Sequence, residues 1–484
     1  MMEVKDLEPK GIWQNFHLLT QVPRPSGHLE KIQQFLLDWA KDRSIEAFQD
    51  NAGNIVMRKA ATPGMEDRKM VTFEAHMDMV PQKAADSSHN FLTDPIATYI
   101  DGDWVKAKGT TLGSDDGIGV ATAMAILEDG SLRHGPLEAL FTVDEETCMY
   151  GVNHLQPDTL QGDILFNFDH ESEGEFVIGC AGGMDVAGEL DYQEEDAPEG
   201  ICIKLTLQGL KGGHSGLEIN LGRANANKLM VRVLADAVTE LGADLVSWEG
   251  GNMRNAIPNR AEAVLLIEED QKADLLALTA RWEKTFQDEY EGIEEGLSLT
   301  AEDAPKADKI VPEEICDNLI DAVLACHNGV LRQIPAIPQI VETSCNLGIV
   351  KIGQGKAATD VLVRSSRESM LEFLGQSVNA AFAMAGMKTQ YQGRYPAWQP
   401  NNQSAIVAVM RQEYKNLFGE DCRVEVVHAG VECGIIQTVY PHMDAVSFGP
   451  TLRSPHTPFE RCNILSVAKF YRFVLKLLEN IPTK

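Results

Sequence analysis

The chain has 484 residues, 44% of them hydrophobic, enough to bury a large core and divide into two or three domains. Its 42 Lys and Arg stand against 72 Asp and Glu, a formal net charge of −30, which argues against a nucleic-acid partner because binding a polyanion needs a basic footprint. The nine cysteines are scattered, odd in number and never paired as C-x-x-C, which argues against a disulfide framework and for a reducing compartment.

The opening MMEVKDLEPKGIWQNF lacks the apolar stretch of a signal peptide, and no run approaches membrane-spanning length. A cytoplasmic protein with no membrane partner is therefore expected. In PSGHLEKIQQFLLDWAKD, Ile32, Phe35, Leu36, Trp39 and Ala40 recur along one face of an amphipathic helix. MVTFEAHMD (70–78), LEALFTVDEE (137–146) and ILFNFDH (164–170) are apolar runs that end in ionisable residues. Buried strands of a helix-flanked sheet read this way, and ligands of such sheets gather beyond the carboxyl ends of the strands. GIGVATAMAILEDG (117–130) predicts a helix starting just after Asp115.

Near residue 187 the character changes. Strand ICIKLTLQG, helix RANANKLMVRVLADAVTEL, strand region NAIPNRAEAVLLIEED and helix ADLLALTARWEKTFQDEY follow one another. A similar order then returns: helix EEICDNLIDAVLACHNG, strands around SCNLGIVKIG and ATDVLVRSS, helix MLEFLGQSVNAAFAMAG and strand MKTQYQG. The expected fold class is α/β: a helix-flanked mixed sheet, discontinuous over 1–186 and 398–484, with an inserted α+β module over 187–397 made of two split β-α-β units.

Five side chains stand where these strands and loops end: His76, Asp115, Glu146, Asp169 and His456. Two imidazoles and three carboxylates form a nitrogen and oxygen set suited to Zn²⁺ and similar divalent ions. His76 closes its strand, and Asp78 is placed to take the second imidazole N–H. Asp115 lies in the tight turn GTTLGSDDGIG, where a carboxylate could bridge two cations while its neighbour Asp116 caps the helix or faces water. Three adjacent acids at 144–146 repel one another unless solvated or neutralised, and Glu145 is one carboxylate beyond what coordination needs, placed for a general base. His456 sits in the proline-stiffened loop SPHTPFE. Each motif alone reads as an ordinary turn or surface acid; their succession in order, four of them at strand ends, points to a two-metal hydrolase.

HMD, GSDDG, DEE, FNFD and SPHTPFE resemble, in order, the ligand motifs of the two-metal peptidase family that includes glutamate-type carboxypeptidases, aminoacylases and dipeptidases, and the resemblance spans essentially the whole chain. KGGHSGLEINLGRANANK and HAGVECGIIQT resemble most the members that cleave Xaa-His dipeptides. The resemblance implies two divalent ions, Zn²⁺ foremost and Co²⁺ or Mn²⁺ as alternatives. His76 and Asp169 would hold one, Glu146 and His456 the other, with Asp115 bridging, Glu145 as general acid/base and Asp78 orienting His76. It makes the inserted module a lid. There His214 in GGHSG would support the scissile carbonyl oxygen, and Arg364, with Arg367 as its competitor, would hold the substrate carboxylate. The implied activity is hydrolysis of unblocked dipeptides, Xaa-His and carnosine-like ones included, by a metal-bridging hydroxide, and a homodimer is compatible with it. The same chemistry on N-acyl amino acids, and a metal-binding relative without catalysis, stay open as alternatives.

Overall fold

In the computed structural model, which describes residues 3–335, 337–401 and 403–484, four runs of the sequence lie side by side as parallel strands. Their order is Leu137–Thr142, Val71–His76, Ile164–Asn167 and Asp444–Ser447. Every residue of the first three is buried, as expected of parallel strands covered on both faces. Ile55–Lys59 and then Glu46–Gln49 add antiparallel strands beyond Leu137–Thr142, and Glu175–Cys180 and Arg423–Val427 lie beyond Asp444–Ser447. Register brings His76 opposite Thr142 and Glu74 opposite Asn167, so the parallel strands end together and their following loops emerge at one edge.

The alanine-rich helix Ser114–Glu128 is buried along nearly its whole length, packed on the strand Val71–His76 and the helix Lys10–Thr20. Being apolar all round, it can only be interior. Asp115 and Asp116 have non-helical backbone angles, so the regular helix begins at Gly117, where the sequence places it. The C-terminal helix Ile464–Glu479 contributes Phe470 and Phe473 to an aromatic cluster with Phe168, Phe176 and Phe448. Phe448 touches all four of the others and Phe166 besides. This cluster fixes Phe168, and with it the backbone just before Asp169. Among the described residues no helix is long and apolar enough to cross a membrane.

The described chain divides into two units, one of residues 1–179, 398–426 and 431–484, the other of 180–397 and 427–430. The second unit holds a nine-stranded antiparallel sheet. Its main path runs Ser298–Ala304, Ile201–Gln208, Ala261–Ile267, Asp244–Gly250, Ile337–Gly353, Lys356–Ser365, Gly182–Asp191 and Lys388–Tyr395. Helices Lys272–Glu289, Ala226–Leu241, Glu313–Ala325 and Glu368–Met384 pack in that succession and share one core with the sheet. The first β-α-β-β-α-β set runs from Ile201 to Ala304. The second opens with Gly182–Asp191, a strand that precedes the entire first set. A boundary at 187 cuts that strand, and the division falls instead at Cys180. The small residues of GGMDVAG hide the strand from an apolar-pattern reading.

Phe448→Ala should lower the unfolding free energy by about 3–5 kcal/mol, the usual cost of deleting a buried phenylalanine. Denaturant titration measures it, and a loss below about 1 kcal/mol would show that the aromatic cluster does not hold this edge together.

Candidate metal centre

The loops that follow the parallel strands, with the turn that opens the helix Ser114–Glu128, bring the five ligand candidates together. His76, Asp115 and Glu146 each offer a ligand atom within 4.8 Å of the others. The Asp115 carboxylate faces two ways. Its Oδ1 lies 3.1 Å from His76 Nε2, and its Oδ2 lies 3.0 Å from His456 Nε2. Asp169 Oδ1 is 3.4 Å from His76 Nε2, and Glu146 Oε1 is 3.0 Å from His456 Nε2. Two nitrogen and oxygen clusters thus meet at one carboxylate. Ligand atoms about 2.1 Å from a tetrahedral zinc lie about 3.4 Å from one another, so this donor spacing fits a divalent ion on either side of Asp115.

His76 is 1% exposed, and its Nδ1 lies 3.2 Å from the Asp78 carbonyl oxygen and 3.5 Å from the Asp78 carboxylate. The backbone is thus the nearer partner, where the sequence suggested the side chain. The Asp78 carboxylate instead accepts the Ser26 hydroxyl at 2.7 Å and the Glu145 N–H at 3.2 Å, which links the His76 loop to the acidic turn. Asp116 accepts the Gly119 N–H at 3.1 Å and caps the buried helix. Glu145 opens the short helix Glu145–Cys148, following Asp144 in the left-handed region at φ 53°. His456 lies in a loop where it and Ser454 both have positive φ.

Crowded carboxyls dominate the electrostatics. Burial and the charges of Asp169, Glu146 and Asp78 push the Glu145 carboxyl well above the usual range. Burial raises Asp169 likewise, against the pull of His76. Burial and the negative charge of Asp115 lift Glu171, which also faces the cluster, to about 8. Burial disfavours charge on the imidazoles, yet hydrogen bonds and charge from Asp115 and Glu146 outweigh it and raise His456 to about 11. Asp169, Asp115 and Asp78 do the same for His76. The site thus crowds more carboxyls together than its own cationic side chains can neutralise, so protons or bound cations must balance them.

Several residues here escaped the sequence reading. Glu74 and Glu432 are buried together and share a hydrogen bond, with Asn167 donating to Glu74 and the Thr142 hydroxyl to Glu432 at 2.7 Å. Burial raises both, and the charge of Glu74 pushes Glu432 further. Arg24, Ser26 and Gly27 contact three ligand loops from PRPSG, a segment that reads as a plain turn. Glu460 accepts backbone N–H groups around Asp115, partners no sequence pattern displays.

The second unit holds the other candidates. His214 lies in the two-residue strand Gly213–His214, paired with Ala256–Ile257. Its Nδ1 accepts the N–H groups of Gly216 at 3.1 Å and Leu217 at 2.9 Å, which leaves the imidazole proton on Nε2. Gly213, at φ +132°, has no room for a Cβ beside Arg223 and Glu218. Arg364 is 5% exposed and donates to the Tyr395 hydroxyl, whereas Arg367 is exposed at the start of the helix Glu368–Met384. The two arginines therefore have different surroundings, and only Arg364 is interior. His428, also unforeseen, lies 2.7 Å from the Ser344 hydroxyl, and burial with the charge of Arg364 lowers it to about 3.

The chain is 41% identical over 485 residues to a cytosol non-specific dipeptidase of Escherichia coli (strain K12), covering 100% of both chains. It is similar to the crystal structure of an aminoacylhistidine dipeptidase from Vibrio alginolyticus, with 40% identity, a TM-score of 0.86, and coverage of 100% of this chain and 99% of that one. A tripeptidase from Staphylococcus aureus shares the fold at 15% identity and a TM-score of 0.57, over 98% of this chain and 99% of that one. With residues 72–480 matching the family model as well, the chain belongs to peptidase family M20/M25/M40.

Proposed function

We propose that this protein is a cytoplasmic dipeptidase that hydrolyses unblocked dipeptides, Xaa-His and carnosine-like ones among them, with two divalent ions, Zn²⁺ foremost. The observation that carries this reading is the Asp115 carboxylate, whose two oxygens each face a separate His-and-carboxylate pair. The full-length likeness to dipeptidases supports the substrate class. In this reading the first unit is catalytic and the second is a lid. His76 and Asp169 would hold one ion, Glu146 and His456 the other, and Asp115 both. Ions bound there would supply positive charge to polarise a carbonyl and make water acidic near neutral pH.

The chain's own groups divide the remaining work. Glu145, beside the ligands yet free of ligation, takes the proton from the attacking water and passes it to the departing amine. Asp78 holds the Glu145 backbone through its N–H and flanks His76. In the second unit, the His214 Nε2–H suits a carbonyl oxygen that gains negative charge. The Arg364 guanidinium suits the C-terminal carboxylate of a short peptide.

Chelation should abolish activity, and Zn²⁺, Co²⁺ or Mn²⁺ should restore it. Glu145→Gln should keep both ions while kcat falls by about 10²–10⁴. Glu146→Gln should lower metal occupancy instead. Metal content measured beside rate separates the two, and the reverse pattern would exchange their roles.

A substrate panel tests the class. Free dipeptides should turn over far faster than the matching N-acetyl amino acids and than tetrapeptides. Preferred cleavage of the N-acyl compounds would replace the dipeptidase reading with an aminoacylase-type one, and equal turnover of tetrapeptides would remove the two-residue limit.

A further inference from the structure

We infer that Arg24 and Glu460 are positioning residues that together clamp the loop presenting Asp115 and so set the separation of the two ligand clusters. The inference rests on the two-metal reading above. Glu460 is 2% exposed, and both its oxygens are used. Oε2 accepts the N–H groups of Leu112 at 2.7 Å and Gly113 at 3.0 Å. Oε1 accepts the Ser114 N–H at 2.7 Å, the Ser114 hydroxyl at 2.6 Å and the Asp115 N–H at 3.2 Å. Five hydrogen bonds to one ionised carboxylate are a strong, charge-assisted grip. Because Glu460 and His456 share one loop, the same carboxylate ties the His456 side of the site to the Asp115 side.

Arg24 reaches the same loop through a backbone carbonyl. It is 2% exposed, and Nη1 donates to the carbonyl oxygens of Met77 at 3.1 Å and Asp78 at 2.9 Å, while Nη2 donates to that of Gly113. The guanidinium therefore joins the His76 loop to the Asp115 loop. A Cβ at Gly113 or Gly117 would run into Nη2, and Gly113 has φ +70°, so both glycines leave the channel the arginine occupies. Burial disfavours the charge of Arg24, and Glu460, Asp78, Asp116 and Asp115 compensate it. Gly113 is thus held by Glu460 through its N–H and by Arg24 through its carbonyl. Asp115 must present one oxygen to each cluster, a placement that tolerates only about 0.5 Å of drift.

Competition for Zn²⁺ against a chromophoric chelator, run on the full-length protein, tests the clamp. Glu460→Gln keeps the shape but loses the charge, and Arg24→Lys keeps the charge but loses the fork. Both should weaken at least one of the two zinc dissociation constants by about 10–100-fold, as loss of a group orienting a metal ligand does. At saturating zinc, kcat for a dipeptide should fall with KM unchanged. Ser114→Ala removes one hydrogen bond to Glu460 and leaves the backbone intact, so it provides the answer if the stronger variants do not fold; about fivefold weaker zinc binding is expected. Folded variants with lower thermal stability but wild-type zinc constants would make the two residues merely structural and overturn the inference. Wild-type protein that binds no zinc would instead sink the two-metal reading itself.

Discussion

Repulsion among like charges is the constraint that the arrangement around the ligand cluster answers. Parallel strands that end in register deliver Glu145, Glu146 and Asp169 to one edge of a sheet, where Asp115, Asp78 and Glu171 already crowd. Such a group of carboxyls disperses unless cations or hydrogen bonds hold it. The structure meets this demand in layers. Imidazoles face the innermost acids, Glu74 and Glu432 share a hydrogen bond beneath them, and Arg24 brings a buried cation to the loops. Asp116 turns away to cap a helix. The carboxyls left at the centre need protons or cations to balance them, a role two divalent ions would fill.

How much of this the amino-acid sequence reveals depends on which atoms do the work. Buried parallel strands are nearly continuous apolar runs, so MVTFEAHMD, LEALFTVDEE and ILFNFDH could be read as strands with polar ends, and the grouping of His76, Glu146 and Asp169 followed from sheet geometry. The helix start at Gly117 was readable for a similar reason, because glycine and aspartate punctuate it. Backbone partners were not readable. Glu460 grips four peptide N–H groups, and Arg24 three carbonyls, none of which leaves a trace in side-chain pattern. Asp78 shows the same limit: its position beside His76 was visible, while its hold on Ser26 and Glu145 was not.

The second unit teaches a complementary lesson. Its four helices and most of its strands follow the expected periodicities, yet Gly182–Asp191 was cut in two by a boundary drawn on composition. That strand is rich in glycine and is stabilised by neighbours on both sides, Lys356–Ser365 and Lys388–Tyr395. Tertiary pairing, rather than local propensity, makes it a strand. Its recognition changes the topology from two consecutive units to one set enclosed by another.

That nesting, together with the place of His456, has a bearing on how the protein is made. A ribosome emits His76, Asp115, Glu146 and Asp169 first, then all of residues 180–397, and only afterwards the strand Asp444–Ser447, His456 and Glu460. At roughly 5–20 residues per second the interval is on the order of ten seconds or more. Throughout it the half-finished sheet lacks an inner strand, and the acidic loops lack Glu460 and their second imidazole. All five donors that two divalent ions would need therefore exist together only in the finished polypeptide.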